Sequence, residues 1–164
     1  MMLSVAVLAF VTLQRLGELV LARRNTARLL ASGAMEVGAA HYPMIVAVHA
    51  GWILGLWWLA WDQPISLVGL AVFAVLQALR LWVIATLGPR WTTRIIILRD
   101  APLVRRGPYR FLSHPNYAVV AAEIAVLPLA FGLPVFALVF TVLNAAVLWV
   151  RIRAENVALG RAPA

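Results

Sequence analysis

Long apolar runs separated by short polar segments dominate the chain, and their lengths predict membrane-spanning helices. The hydrocarbon core of a bilayer is about 30 Å thick, so a helix needs about 20 mostly apolar residues to cross it. The runs at residues 2–22, about 42–61 and about 65–87 each reach that length. We therefore predict three spanning helices in the first half of the chain.

The remaining apolar tract, residues 115–150, is too long for one span and is interrupted at residues 132–134. Glycine and proline occur together there, which marks a turn. We predict a tight hairpin of two helices, about 115–131 and 134–153. The predicted fold class is all-α, an integral membrane helical bundle of about five transmembrane helices that forms a single domain, 1–164.

The arginines test this number of spans, because positive charge concentrates in cytoplasmic loops. Arg15 and Arg80 lie well inside predicted spans, and Arg151 and Arg153 lie at the very end of the last one. With five spans, the other arginines all fall at one end of the bundle: Arg23, Arg24, Arg28, Arg90, Arg94, Arg99, Arg105, Arg106, Arg110, Arg151, Arg153 and Arg161. The opposite end has none, so we expect the N-terminus outside and the C-terminus in the cytosol.

Two segments between the spans are expected to contact the membrane interface. Residues 25–41 contain Glu36 among small apolar residues, which suits a short interfacial or re-entrant helix. The run 95–98, inside the polar stretch 88–114, is expected to dip into the interface.

Composition supports the membrane assignment and excludes several chemistries. Apolar residues make up 64% of the chain, charged residues 12%, and the mean hydropathy is +0.93, which leaves too little polar surface to cover a soluble globule. There is no cysteine, so thiol chemistry and thiolate metal ligands are excluded. All 14 basic residues are arginine, which excludes a lysine Schiff base. Their positions explain the net charge of +8, and no nucleic-acid partner is expected.

The stretch from Gly107 to Tyr117 reads GPYRFLSHPNY and places an imidazole, two phenols and an arginine at the start of an apolar span. Proline is tolerated at the first helical position, so His114-Pro115 marks a helix start. The free amides of that first turn, with the helix dipole, predict an anion site that suits a ligand carboxylate or phosphate. The alternative is that His114 only caps the helix and Tyr117 only anchors it at the interface.

A second polar cluster lies at the end of the last predicted span, where Arg151 and Glu155 are four residues apart and share one helix face. This pair has an alternative interpretation as a helix-end ion pair whose arginine is an interface anchor. The last two spans form a hairpin, however, so the start of one and the end of the other are neighbours. We therefore expect Arg151 and Glu155 to lie within one pocket with His114.

The predicted spans also contain charged residues: Arg15, Glu18, Arg80 and Glu123. Charges at membrane depth are costly, so they face protein or water and pair with one another. We expect Arg15 to pair with Glu18 and Arg80 to pair with Glu123 or Glu18, in a structural role.

The two histidines of the N-terminal half, His41 and His49, lack a third nearby ligand, and no metal site is predicted.

Together these segments resemble the isoprenylcysteine carboxyl methyltransferase family, whose members are small multi-span enzymes that use S-adenosylmethionine. The resemblance rests on GPYRFLSHPNY, the span with Glu123, and RIRAE at residues 151–155. It extends to QRLGELVLARRN, GAMEVGAAHYP and the downstream His49 and Trp52, which are similar to bacterial members. The resemblance thus covers nearly the full chain.

The resemblance implies roles for individual residues. The implied cofactor-binding residues are Tyr109, Arg110, His114, Pro115, Asn116, Tyr117 and Glu155, and the implied catalytic residues are Arg151 and Glu155. In this comparison Glu155 matches the first acid of the family's terminal acidic pair, and Arg151 matches the arginine one turn before it.

Two positions depart from the family pattern. Ser113 stands where the family often has an arginine before the histidine, and Asn156 stands where it has the second acid. These departures remove a cation and an anion near the implied cofactor site. We expect either that Arg110 or Arg106 supplies the cation or that cofactor affinity is low.

The resemblance implies an S-adenosylmethionine-dependent O-methyltransferase that acts on a carboxylate or hydroxyl of a lipidic acceptor. For a phenol or enol acceptor, Glu155 or His114 is the candidate general base. One alternative is an NADPH-dependent membrane lipid reductase, because membrane sterol reductases have a similar C-terminal hairpin. Another is a non-enzymatic lipid-binding membrane protein. The expected location is a bacterial inner membrane with the site facing the cytoplasm, and the oligomeric state is left open.

Overall fold

The computed structural model describes residues 1–98 and 101–160, which form five α-helices and one small sheet. The helices are α1 (Met2–Ala31), α2 (Tyr42–Ala60), α3 (Leu67–Leu87), α4 (Pro115–Ala130) and α5 (Pro134–Ala158). The sheet pairs β1 (Met35–Val37) with β2 (Ile95–Ile97) in antiparallel register, and short 3-10 turns occupy Ala39–His41, Gly88–Arg90 and Gly107–Arg110.

The predicted all-α membrane bundle is confirmed. Four helices, α1, α2, α3 and α5, are long and apolar enough to cross a membrane, while α4 has only 16 residues. Large apolar side chains cover the outer faces of these helices; Trp58, for example, is 83% exposed and Val135 is 74% exposed. Contact of such a surface with the lipid chains of a bilayer is favourable, whereas its contact with water is unfavourable. The predicted orientation stays a prediction, and Arg99 and Arg161, which contributed to it, lie outside the described residues.

The predicted interfacial helix at residues 25–41 is wrong. Helix α1 continues to Ala31, and the chain then forms β1, whose backbone groups pair with β2. Residues 95–97 form β2 of this pairing, and Ile95 is buried within the protein, while the expected contact of residues 95–98 with the interface stays a prediction. The turns of α1 beyond the predicted end at residue 22 are held against the segment after α3 by Asn25. Its buried side-chain amide donates to the carbonyl oxygens of Gly88 (3.2 Å) and Trp91 (2.8 Å).

The start of α3 packs closely against the end of α4. The side chain of Ser66 caps α3 by accepting from the Gly69 amide at 3.3 Å, and its own amide donates to the Ala130 carbonyl at 2.8 Å. A Cβ at Gly69 would lie 2.5 Å from the Ala130 Cβ and 2.9 Å from its Cα, so only glycine permits this approach. The contact aligns the two helix ends at the side of the bundle that has few charges.

The predicted hairpin between α4 and α5 is confirmed. Gly132 adopts a φ of 71°, in the left-handed region that favours glycine, and the Leu133 amide donates to the Pro128 carbonyl at 2.9 Å. Helix α5 then runs to Ala158, beyond the predicted end at residue 153. The first turn of α4 and the last turns of α5 therefore lie side by side.

The apolar core lies in the other half of the bundle and includes Leu8, Val11, Trp52, Leu56, Phe73, Ile124 and Leu127.

Candidate active site

Helix α4 begins at Pro115, and His114 precedes it as the N-cap residue without a side-chain capping bond. The imidazole instead stacks on the Tyr117 ring, with ring centroids 5.3 Å apart and planes 14° apart. The amides of Tyr117 and Ala118 both donate to the His114 carbonyl. The Ala118 bond is the ordinary i→i−4 bond of a helix, so Tyr117 is the first-turn amide that this carbonyl engages. The anion site at this helix start stays a prediction.

The Tyr117 hydroxyl joins the two predicted clusters. It donates to Glu155 Oε2 at 2.5 Å and accepts from Arg151 Nε at 2.7 Å. His114 Nδ1 lies 3.7 Å from the same Glu155 oxygen, and its Nε2 lies 3.2 Å from Asn156 Oδ1. The prediction that these residues share one pocket is confirmed. In the described part of the chain, Arg151 and Glu155 do not bond directly, because the phenol lies between them.

A cavity of about 710 Å³ with a mixed polar and apolar lining opens beside this cluster. We call it the polar cavity, because the second cavity described below is almost entirely apolar. Its walls come from β2, the loop after it, the turn before α4 and the last turns of α5. It is lined by the implied residues Tyr109, Arg110, His114, Asn116, Tyr117, Arg151 and Glu155. Pro115 starts the helix that carries Asn116 and Tyr117 but does not itself line the cavity.

The cations at the polar cavity differ in part from the expected ones. Arg105 and Arg110 line it together with Ser113, whereas Arg106 is not among the lining residues. Of the two arginines proposed to replace the missing family cation, Arg110 is therefore placed to do so, and Arg105 was overlooked. Burial, and to a smaller extent the Glu155 charge, raises the pKa of Tyr109, so its hydroxyl stays protonated near neutral pH.

A second, mostly apolar cavity of about 390 Å³ lies between α1 and α2, on the other side of the same wall. Leu16, Ile45, Val46, Ile53, Leu54 and Val120 provide its apolar lining. Trp91, Thr92, Asn116, Tyr117 and Arg151 line both cavities. The two spaces therefore meet at the Tyr117–Arg151 cluster. No pocket role was predicted for Trp91, Thr92 or His49, although His49 belongs to the segments that resemble the family.

Two polar atoms at this shared wall lack partners. Trp91 Nε1 and Asn116 Oδ1 are buried and have no hydrogen bond within the described residues. A buried polar group without a partner costs about 1–3 kcal/mol, so an orphaned donor and acceptor at one wall are typical of a ligand site.

The charges within the spans form one network that borders the apolar cavity. Arg80 contacts Glu18 at 2.5 Å and Glu123 at 2.9 Å, and Arg15 contacts the same acids at 3.1 and 2.7 Å. Gln77 adds a 2.7 Å bond to Glu123, which is fully buried. The predicted pairing is confirmed, and Arg80 pairs with both acids rather than one.

Fold and site together define a small helical membrane protein whose two cavities, one polar and one apolar, meet at a tyrosine, an arginine and a carboxylate. The model of the isoprenylcysteine carboxyl methyltransferase (ICMT) family matches residues 67–161, so the chain belongs to that family. This membership indicates a membrane methyltransferase.

Curated relatives match along most of the chain. "Uncharacterized protein YpbQ" of Bacillus subtilis is 38% identical over 165 residues, covering 93% of this chain and 94% of the relative. An "Uncharacterized protein" of Haemophilus influenzae is 27% identical over 147 residues, covering 83% of each. No solved structure matches the chain. The similarity to these relatives therefore covers most of the chain and extends beyond the family match at residues 67–161.

Proposed function

We propose that the protein transfers a methyl group from S-adenosylmethionine in the polar cavity to a carboxylate or hydroxyl of a lipidic acceptor in the apolar cavity. The observation that carries the proposal is the shared wall of Tyr117, Asn116 and Arg151, where the two cavities meet. A reaction between two ligands of different polarity would use both spaces. We place the polar cavity at the cytosolic face of a bacterial inner membrane.

The residues of the polar cavity fit the cofactor. Its volume of about 710 Å³ lies within the range of small-molecule sites, which is about 300–1,000 Å³. Arg105 and Arg110 suit the cofactor carboxylate, while Trp91 Nε1 and Asn116 Oδ1 offer an unused donor and an unused acceptor. When bound, S-adenosylmethionine supplies a methyl group on a positively charged sulfur. A carboxylate such as Glu155 favours that charge within the cavity.

Arg151 is the residue that orients the acceptor. Its Nε is used by the Tyr117 hydroxyl, and its two terminal nitrogens have no hydrogen bond within the described residues. Glu155 holds the phenol and the phenol holds the guanidinium, so the orientation is relayed through Tyr117. The apolar walls exclude water, and positioning therefore supplies most of the rate for a displacement that needs few titratable groups.

A binding comparison tests the proposal. Thermal unfolding of the purified protein in detergent is measured with S-adenosylhomocysteine and with NADPH. The proposal expects stabilisation by the first compound alone, followed by label transfer from methyl-labelled S-adenosylmethionine to a host lipid extract. Stabilisation by NADPH alone would favour a lipid reductase. A response to neither compound would favour a lipid-binding protein without catalysis.

A further inference from the structure

His49 lies about two turns into α2 from Tyr42 and lines the apolar cavity. Its Nδ1 is 2.8 Å from the Ile45 carbonyl oxygen. A carbonyl oxygen only accepts hydrogen bonds, so Nδ1 carries the proton and, in the neutral ring, Nε2 carries a lone pair. Among the residues that the structure describes, Nε2 has no hydrogen-bonding partner. The acceptor cavity therefore contains an unused basic nitrogen.

The carboxylates of the in-span charge network do not offer a partner to a protonated His49. The carboxylates of Glu18 and Glu123 are each bonded to both Arg15 and Arg80, so neither is free to pair with an imidazolium. Further positive charge next to two arginines in an apolar site is unfavourable. The ionisable groups that border the cavity come from every helix packed around it: Arg15 and Glu18 on α1, Tyr42 on α2, Arg80 on α3, Tyr117 on α4 and Arg151 on α5.

The bases expected from the sequence are on the wrong side of the wall. Glu155 and His114 line the polar cavity but not the apolar one. Glu155 also accepts the Tyr117 hydroxyl, and His114 Nε2 contacts Asn156. Neither has a basic lone pair directed at an acceptor in the apolar cavity.

We propose that His49 is the general base of the methyl transfer and that the acceptor is a lipid with an ionisable hydroxyl, a phenol or an enol. This inference rests on the proposed function. The hydroxyl proton moves to Nε2, the oxygen forms a bond to the methyl carbon, and the carbon–sulfur bond breaks with its electron pair left on sulfur. The imidazolium returns its proton to water when the product leaves. A carboxylate is already ionised near neutral pH and would not need this base.

The first test needs no methyl transfer. A 4-dodecyl-2-nitrophenol probe, whose phenolate is seen by absorbance, is bound without cofactor and titrated with pH. The samples are the wild type, His49→Gln and the matched control His41→Gln, whose histidine lines neither cavity. A neutral imidazole that accepts from the phenol hydroxyl stabilises the protonated probe, so in wild type and control the apparent pKa of the bound probe should be higher than in His49→Gln by about one unit. Equal pKa values in all three proteins would overturn the proposal.

The second test compares two acceptors of equal chain length, an alkylphenol and a fatty acid. Loss of a general base slows its step by about 100-fold or more, so His49→Gln should slow methylation of the phenol by that factor. The fatty-acid rate and the affinity for S-adenosylhomocysteine should be unchanged. Equal losses with both acceptors would show a packing role, and a wild type that prefers the fatty acid would contradict the assignment. If the wild type binds no S-adenosylhomocysteine, the proposed function fails, while the nitrophenol titration still decides on His49.

Discussion

The hydroxyl of Tyr117 lies 2.5 Å from Glu155 Oε2 and 2.7 Å from Arg151 Nε, so one phenol joins two helices. This arrangement makes Tyr117 the connection between a carboxylate in the polar cavity and a guanidinium that reaches both cavities. Its loss should affect the chemistry more than the fold, because the ring can stay in place.

We expect Tyr117→Phe to lower methyl transfer by about 10- to 100-fold, since it leaves the buried Arg151 Nε and the Glu155 oxygen without a partner at a cost of about 1–3 kcal/mol. A double-mutant cycle with Glu155→Gln, measured as kcat/KM, checks this. Residues that act through one hydrogen-bond chain are not additive, so the coupling energy should be about 0.5–3 kcal/mol. Additive effects of the two substitutions would rule out the relay.

The buried charge network should be far more sensitive than a surface ion pair. Glu123→Gln removes the carboxylate shared by Arg15 and Arg80, and breaking a buried pair in this way costs about 3–5 kcal/mol. The matched control is Glu36→Gln, whose partner Arg94 is 40% exposed, and which should cost less than about 1 kcal/mol. Unfolding temperatures in detergent measure both. Similar decreases for the two variants would contradict a structural role of the network.

Restoring the missing cation should strengthen cofactor binding. Ser113 lines the polar cavity, so Ser113→Arg places a guanidinium where a ligand carboxylate can meet it. A hydrogen bond to a charged group contributes about 1.5–3 kcal/mol, and we expect the Kd for S-adenosylhomocysteine to fall about tenfold or more. The neighbouring Leu112→Arg adds the same charge at an exposed position that lines neither cavity, and calorimetry should show an unchanged Kd. An equal gain in both variants would indicate only long-range attraction.

The close packing of α3 on α4 gives a stability prediction. Gly69→Ala places a Cβ 2.5 Å from the Ala130 Cβ, so the helices must separate at a cost of about 1–3 kcal/mol. Gly17→Ala is the matched control on α1, because nothing lies within 4 Å of the added methyl group. Alanine is favoured over glycine within a helix by about 0.5–1 kcal/mol, so this variant should unfold at an equal or higher temperature. Destabilisation of both proteins to the same extent would argue against the close contact.

The sequence predicted the parts of the site that depend on helix order. The last two spans are connected by a turn at residues 132–134, so their adjacent ends must meet, and this placed His114 beside Arg151 and Glu155. The in-span charges had to pair because the bilayer offers them no water. Both arguments need only the number of spans and the cost of burying a charge.

The rest depends on contacts distant in the sequence. The register of β1 on β2 joins Met35 to Ile97, and the isolated three-residue strands carry no pattern that specifies such a pairing. That pairing and the Asn25 bonds bring Trp91 to the wall between the cavities. The position of His49 in a cavity likewise follows from how α2 sits against α1. A spacing of eight residues between two histidines could not reveal it.

The short length of α4 determines how deep the reaction lies. Helix α4 has 16 residues and α3 has 21, and the end of one is level with the start of the other because the Ser66 amide bonds to Ala130. At 1.5 Å per residue, the first turn of α4 is therefore recessed by about 7 Å relative to the end of α3. The proposed acceptor would therefore meet Tyr117 at this recessed level rather than at the level of the end of α3. Under the proposed function, the acceptor would keep its chain in the bilayer during methyl transfer, and a water-soluble analogue without that chain would lose the favourable burial of the chain.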